Sequence, residues 1–143
     1  MRKYFLISMV GWMIFCSAAW AELVDNTDGT VTDTQTGLMW QQAEAGAMNW
    51  EAALTYCEDL ELAGYDDWRL PNRNELQSIV DYSGYYPSID TVAFPGALSS
   101  SYWSSTTYAG YPDHAWHVYF YGGDVSSSGK SGSCYVRAVR DGQ

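Results

Sequence analysis

Residues 66–76, DDWRLPNRNEL, constrain the fold of this chain more than any other stretch. Asn72 is a helix-capping residue, and Glu75 stands three residues on, the spacing of a capping box with Asn in place of Ser or Thr. Pro71, just before the cap, can pack on Leu76 as a hydrophobic staple. A helix is therefore expected over PNRNELQSIVDYS, with Leu76, Ile79 and Val80 on its apolar face. Trp68 is expected in the core and Arg69 against one of the seventeen carboxylates, with Arg73 on the exposed first turn. Read this way, Leu70 and Pro71 lead into the helix, and the stretch belongs to the fold rather than to a reaction.

A second helical pattern precedes it. Asn49 can cap NWEAALTYCEDLELAG, and Glu51 lies in the first turn, where the helix dipole favours it. Trp50, Ala53, Leu54, Cys57 and Leu60 recur at helical spacing as one apolar stripe, and Gly64 is expected to end the helix. Upstream, ELVDN, TVTD and LMWQQ are short strands separated by Asp-Gly and Thr-Gly turns. Asp25, Asp28 and Asp33 invite a calcium loop. Counting from Asp25, however, Gly29 falls at position 5 where such a loop needs it at 6, so a strand meander is the better account.

After Asp81 the composition turns to Tyr, Ser, Gly and Pro, which reads as a long ordered loop. YWSST, HAWHVYFY and CYVRAV follow as strands. Val118 and Phe120 alternate with Tyr119 and Tyr121, and Gly122-Gly123 turns the chain into DVSSS as a hairpin. Strands, two helices, a loop-rich stretch and a strand-rich end make an α+β domain.

Residues 1–21 read as a secretory signal peptide: Arg2 and Lys3, then an uncharged run, then Ala19-Trp20-Ala21 before Glu22. The bulky Phe15 before Cys16 disfavours a lipoprotein. Two domains of description follow, a signal at 1–21 and one folded domain at 22–143, with a secreted or periplasmic location in a bacterial envelope and no membrane insertion once the signal is removed. Loss of Arg2 and Lys3 leaves five basic residues against seventeen acidic ones, moving the net charge from −10 to −12. Such a field repels nucleic acid and anionic surfaces, leaving neutral glycans, cations and basic partners. Cys57 and Cys134 remain, an even number in an exported chain, and a disulfide between them is the natural reading. It would close a long loop, worth roughly 4–5 kcal/mol.

Six segments in this order resemble one family. DNTDGTVTDTQTGLMWQ, Trp50 with YCEDL, AGYDDWRLPNRNEL, YWSST, AWHVYF and VRAVR look like the collagen-like adhesin C-terminal domain (Lcl C-terminal domain) family. The resemblance covers nearly all of residues 22–143. It implies a C-type-lectin-like fold related to the formylglycine-generating enzymes, with two helices packed on small antiparallel sheets and a loop-rich second half. It also implies neighbouring chain ends, with LVDN pairing to YVRAV. Function transfers less readily than fold. The Glu-Pro-Asn-like and Trp-Asn-Asp triplets of calcium-dependent lectins are missing, as are the paired late cysteines of formylglycine generation. Glycosaminoglycan adhesion would need a basic surface.

No catalytic residue and no metal ligand set is expected. His114 and His117 are three apart on a strand and point to opposite faces, so one is read as a surface residue and the other as packed. Ser104, Ser105 and Thr106 supply hydroxyls but no marked nucleophile, and Trp103 beside them belongs in the core. Asp66, Asp67 and Asp124 keep structural calcium open, without a motif to support it. Eleven tyrosines follow the signal, many in loops, and Tyr beside Ser and Gly makes a binding surface at low entropic cost. The expected ligand-binding residues are Tyr85, Tyr86, Tyr108, Tyr111 and His114. The leading functional reading is a non-enzymatic recognition or adhesion domain for a glycan or protein. The alternatives are an exported hydrolase or formylglycine-type oxidase, and a structural envelope subunit that works as a homo-oligomer.

Overall fold

A computed structural model describes residues 22–142, so the signal-peptide reading of 1–21 lies outside the described residues. The elements are β1 (Leu23–Asp25), β2 (Thr30–Asp33), β3 (Leu38–Gln41), β4 (Ala45–Met48), α1 (Trp50–Glu58), α2 (Arg73–Ser78), β5 (Ser101–Thr107), β6 (His114–Tyr119), β7 (Asp124–Gly129), β8 (Cys134–Val136) and β9 (Val139–Asp141). The class is α+β: two helices and two sheets, in which every strand pair but one is antiparallel. None of the described helices is long and apolar enough to cross a membrane.

The first sheet has the order β1-β2-β3-β9. Its first three strands form the expected meander. Asp25, Asp28 and Asp33 are each used locally: their carboxylates accept the backbone N–H groups of Thr27, Thr30 and Gln35, two residues on. Such side-chain turns place these aspartates in the turns of the meander. The expected pairing of the first strand with the last does not occur. β1 pairs only with β2, while β9 lies against β3, with Trp40 opposite Val139. The first and last described strands thus occupy opposite edges of one sheet. The core decides this, because Trp40 and Val139 are both fully buried and belong to the same apolar cluster.

The second sheet runs β4-β8-β5-β6-β7, with the single parallel contact between β5 and β8. CYVRAV, expected as one strand, is split. β8 belongs to the second sheet and β9 to the first, with Arg137 and Ala138 between them. The β6–β7 hairpin keeps regular register from His114↔Gly129 to Tyr119↔Asp124. Gly123 is required at its turn: φ is +88°, and an added Cβ would lie 2.5 Å from Val80. β4, sequence AGAM, lacks β-branched residues and carried no strand signal.

Both helices are shorter than their patterns. α1 buries Trp50, Ala53 and Cys57 but stops at Glu58, where the Asp59 N–H bonds back to Thr55 and Cys57. Gly64 does not cap it. Ala63 (φ +56°) and Gly64 (φ +81°) instead form a left-handed turn, closed by mutual backbone hydrogen bonds of Leu62 and Tyr65. Those bonds draw the chain out of the helix two residues before the stripe would carry it on. α2 carries the full capping box. The Glu75 N–H donates to Asn72 Oδ1 at 2.8 Å, and the Asn72 N–H donates to Glu75 Oε1 at 2.9 Å.

Two apolar clusters result. One joins α2 to both sheets through Leu76, Ile79, Phe94, Tyr102, Val118, Phe120, Trp40 and Val139. The other packs α1 on the second sheet through Trp50, Cys57, Trp68, Trp103, Cys134 and Val136. Arg137, 1% exposed, sits at the strand crossover. It donates to the carbonyls of Gln41 (2.8 Å) and Gln42 and to Glu44 Oε2 (2.8 Å), and its guanidinium lies 4.5 Å from the Phe94 ring centre. The expected Cys57–Cys134 bridge is not formed. Both cysteines are free thiols within the second cluster. Burial pushes Cys57 up to about 12, helped by Glu58, and Cys134 up to about 11. Both therefore stay protonated, and it is the thiolate that reacts.

Two outcomes follow. Glu44→Ala strands a buried guanidinium and lowers unfolding free energy by about 3 kcal/mol, whereas the pair Arg137→Met with Glu44→Leu recovers most of that loss; denaturant midpoints test both. A thiol reagent titrates neither cysteine in the native protein and both in denaturant. Silence in denaturant without a reductant would instead reveal a bridge.

Candidate functional site

The RLP segment makes its contacts within the fold. Arg69 Nη1 and Nη2 donate to the two oxygens of Glu75 at 2.7 Å each, and Nη2 also reaches Asp141 at 2.8 Å. Its backbone exchanges N–H···O bonds of 2.9 Å with Val139 in both directions. One arginine thus ties the capping box of α2 to the last strand. Trp68 is buried and donates its indole N–H to the Leu62 carbonyl; Trp103 is buried and donates to Met48. Leu70 and Pro71 are buried, and the Pro71 carbonyl accepts the Ser105 N–H. Arg73 is not on an open turn: it is half-buried, with its guanidinium 4.8 Å from the Trp116 ring centre. Attraction to the ring face outweighs free hydration there.

The five residues expected to bind ligand separate into two groups at opposite ends of β6. Tyr85 and Tyr86 belong to the first. Their rings lie 4.7 and 5.1 Å from that of Tyr121, edge to face, and Tyr119 stacks on Tyr121 at 5.8 Å. Tyr82 covers the adjacent Gly123 turn and accepts a hydrogen bond from Gln77. Tyr82, Tyr85 and Tyr86 are 66%, 67% and 67% exposed and Tyr119 is 39% exposed. Rings this open are not core cover. The Tyr86 backbone is left-handed (φ +61°), with a cis peptide to Pro87 after it, and its N–H donates to the Tyr121 carbonyl at 3.0 Å. A bulky residue held at positive φ with its ring in solvent is the kind of local cost that binding surfaces carry.

Tyr108, Tyr111 and His114 form the second group, with Trp116. Tyr108 lies 4.9 Å from Trp116 and 5.8 Å from Tyr111, and Tyr111 lies 5.7 Å from His114. Tyr108 and His114 are half-buried, and of these three only Tyr111 is open. The rings mainly close the end of the β5–β6 hairpin. His117, on the other face, is buried against Trp103 with no partner for Nδ1, and burial lowers its proton affinity. The histidines do not converge. Ser104 donates to the Trp116 carbonyl and Thr106 accepts the Arg73 N–H, so these hydroxyls serve the backbone.

The charges are unevenly used. Arg140 is buried and pairs with Asp67 at 2.6 Å; Lys130 lies over Trp50 at 4.0 Å and donates to Thr107. With Arg69 and Arg137 on carboxylates and Arg73 on Trp116, all five basic residues of the described region are engaged. Asp67 pairs with Arg140 and Asp124 opens β7 opposite Tyr119; among the described residues no three His, Cys, Asp or Glu side chains come together as a metal-ligand set. Sequence reading placed Tyr82 among the loop tyrosines but missed Tyr119 and Tyr121 as members of the surface. The in–out alternation of β6, ending at Gly-Gly, carried the signal for the last two.

The family model described as the Lcl C-terminal domain matches residues 29–140, most of the chain, and the chain belongs to that family. No curated protein matches it.

The Arg69–Glu75 pair predicts a pH signature. Burial alone would raise the Glu75 carboxyl, but the hydrogen bonds from Arg69 and the Asn72 N–H hold it below the ordinary carboxylate range. A depressed value in the folded state adds stability above the ordinary carboxylate pKa, and this is lost as pH falls through the depressed one. Arg69→Ala is expected to cost about 1 kcal/mol at pH 7, discounted for solvent screening, and the gap to wild type narrows on acidification below the ordinary carboxylate range. Melting curves across pH read this out. Ligand affinity is expected to fall less than stability; equal melting temperatures with lost affinity would reverse the assignment.

Proposed function

Proceeding from membership of this family, we propose that the chain is an exported, non-enzymatic recognition domain of adhesion type. It binds a glycan or protein partner through the tyrosine surface formed by Tyr82, Tyr85, Tyr86, Tyr119 and Tyr121. The observation that carries the reading is the grouping of four of the exposed large apolar side chains around one ring, Tyr121 (Tyr82 through the Gly123 turn), at one end of the second sheet. Aromatic rings with a polar edge supply large contact area with few rotatable bonds, which suits recognition of polar partners. Export rests on the signal-like residues 1–21 and places the domain in the periplasm or outside the cell. A C-type-lectin-like arrangement is part of the same reading, supported by two helices and two small, mostly antiparallel sheets.

The test is a binding screen of the exported protein against a glycan panel and cell surfaces. The control is Tyr85→Ser with Tyr86→Asn, in which Asn tolerates the left-handed backbone. Retention by wild type that drops about tenfold or more in the double variant, at unchanged melting temperature, is the expected result for a surface dominated by a few aromatic anchors. Equal retention by both proteins would sink the proposal.

A further inference from the structure

The tyrosine surface has a carboxylate beside it that no cation pairs with among the described residues. Asp124 is exposed, faces Tyr119 across the β6–β7 register, and has no ion-pair partner among the described residues. A Cβ placed on Gly122 would lie 3.7 Å from Asp124 Oδ2 and 3.7 Å from a ring carbon of Tyr85. The Asp124 carboxylate and the Tyr85 ring therefore both border the small notch left where residue 122 has no side chain. Asp81, at the foot of the Tyr82–Tyr86 loop, accepts hydrogen bonds from Ser83, which hold its carboxyl below the ordinary range, so negative charge borders the surface from that side as well.

We infer that the notch between Asp124 and Tyr85 receives the guanidinium of an arginine carried by a segment of a partner protein. The inference rests on the recognition reading above and gives it a partner chemistry. A guanidinium is planar, weakly hydrated and forked, so it stacks on a tyrosine face while donating to a carboxylate; an ammonium offers only a point charge. The domain cannot supply the group itself, because Arg69, Arg73, Lys130, Arg137 and Arg140 are all engaged elsewhere. For the same reason a second copy of the described region is a poor occupant. The excess of acidic over basic residues draws basic segments in and keeps polyanions away.

The probe is a blocked peptide of alternating glycine and arginine, titrated against the exported protein, with citrulline and lysine versions as controls. Binding of the arginine peptide is expected to weaken about tenfold in Asp124→Asn and in Tyr85→Ser. It should be unchanged in Asp66→Asn, an exposed carboxylate outside the surface, and lost with citrulline. Equal binding of the citrulline or lysine peptide, or an equal loss in Asp66→Asn, overturns the inference by reducing it to general shape or general charge. If the arginine peptide does not bind while Tyr85- and Tyr86-dependent retention persists in the glycan and cell-surface screen, this inference alone fails. If neither binding depends on the tyrosines, the recognition reading fails with it.

Discussion

The fold turns on Arg137. The chain leaves the second sheet at Val136 and enters the first at Val139, and the residue that makes this step is a buried arginine. Its guanidinium fills the junction by bonding to the carbonyls of Gln41 and Gln42 and to Glu44, on the connection that leaves the first sheet for β4. Gln41 adds to the junction, exchanging backbone bonds with Ala138 through its own N–H and side-chain carbonyl. Both passages between sheets are therefore pinned by one polar cluster inside an apolar shell that includes Phe94 and Tyr102. A buried ion pair adds little net stability over a well-packed apolar substitute, but an unpaired one is expensive. The cluster ties the two passages to each other: a path that kept Arg137 buried but away from Gln41, Gln42 and Glu44 would leave its charge without partners.

The same economy governs the remaining cations. With so few basic residues in an acidic chain, each one is placed where a carboxylate or an aromatic face needs it. Arg69 joins the cap of α2 to the last strand, and Arg140 joins Asp67 to the Tyr65 ring at 3.7 Å. Arg73 and Lys130 lie on the rings of Trp116 and Trp50. The consequence reaches function. Internal use of the positive charge leaves exposed carboxylates unpaired, and the open tyrosine surface sits in that acidic field.

Local signals were legible wherever neighbours in sequence are also neighbours in space. Asn72 and Glu75 announced the capping box, the Asp-Gly and Gly-Gly turns announced hairpins, and alternation along β6 announced which side is buried. The reading weakened where a short apolar run could serve either of two sheets. CYVRAV looks like one strand because its alternation is continuous, yet its halves pair with different partners. The apolar stripe of α1 extends to Leu60, yet the Leu62–Tyr65 turn ends the helix early. The tyrosines show the same division. Their abundance was plain, but Tyr85 and Tyr108 are equivalent on paper, and only pairing to opposite ends of β6 separates an open surface from a hairpin closure.

The sequence by itself determined the α+β class, the start of each helix, the meander and the acidic character. These rest on interactions spanning a few residues or on composition alone. Tertiary structure decided that the last strand joins β3 rather than β1, that Cys57 and Cys134 remain separate thiols, and that Tyr119 and Tyr121 complete the surface begun by Tyr85 and Tyr86. Each of those outcomes depends on which distant segments share a buried layer. Packing selects that arrangement for the whole chain at once, and no stretch of sequence carries it alone.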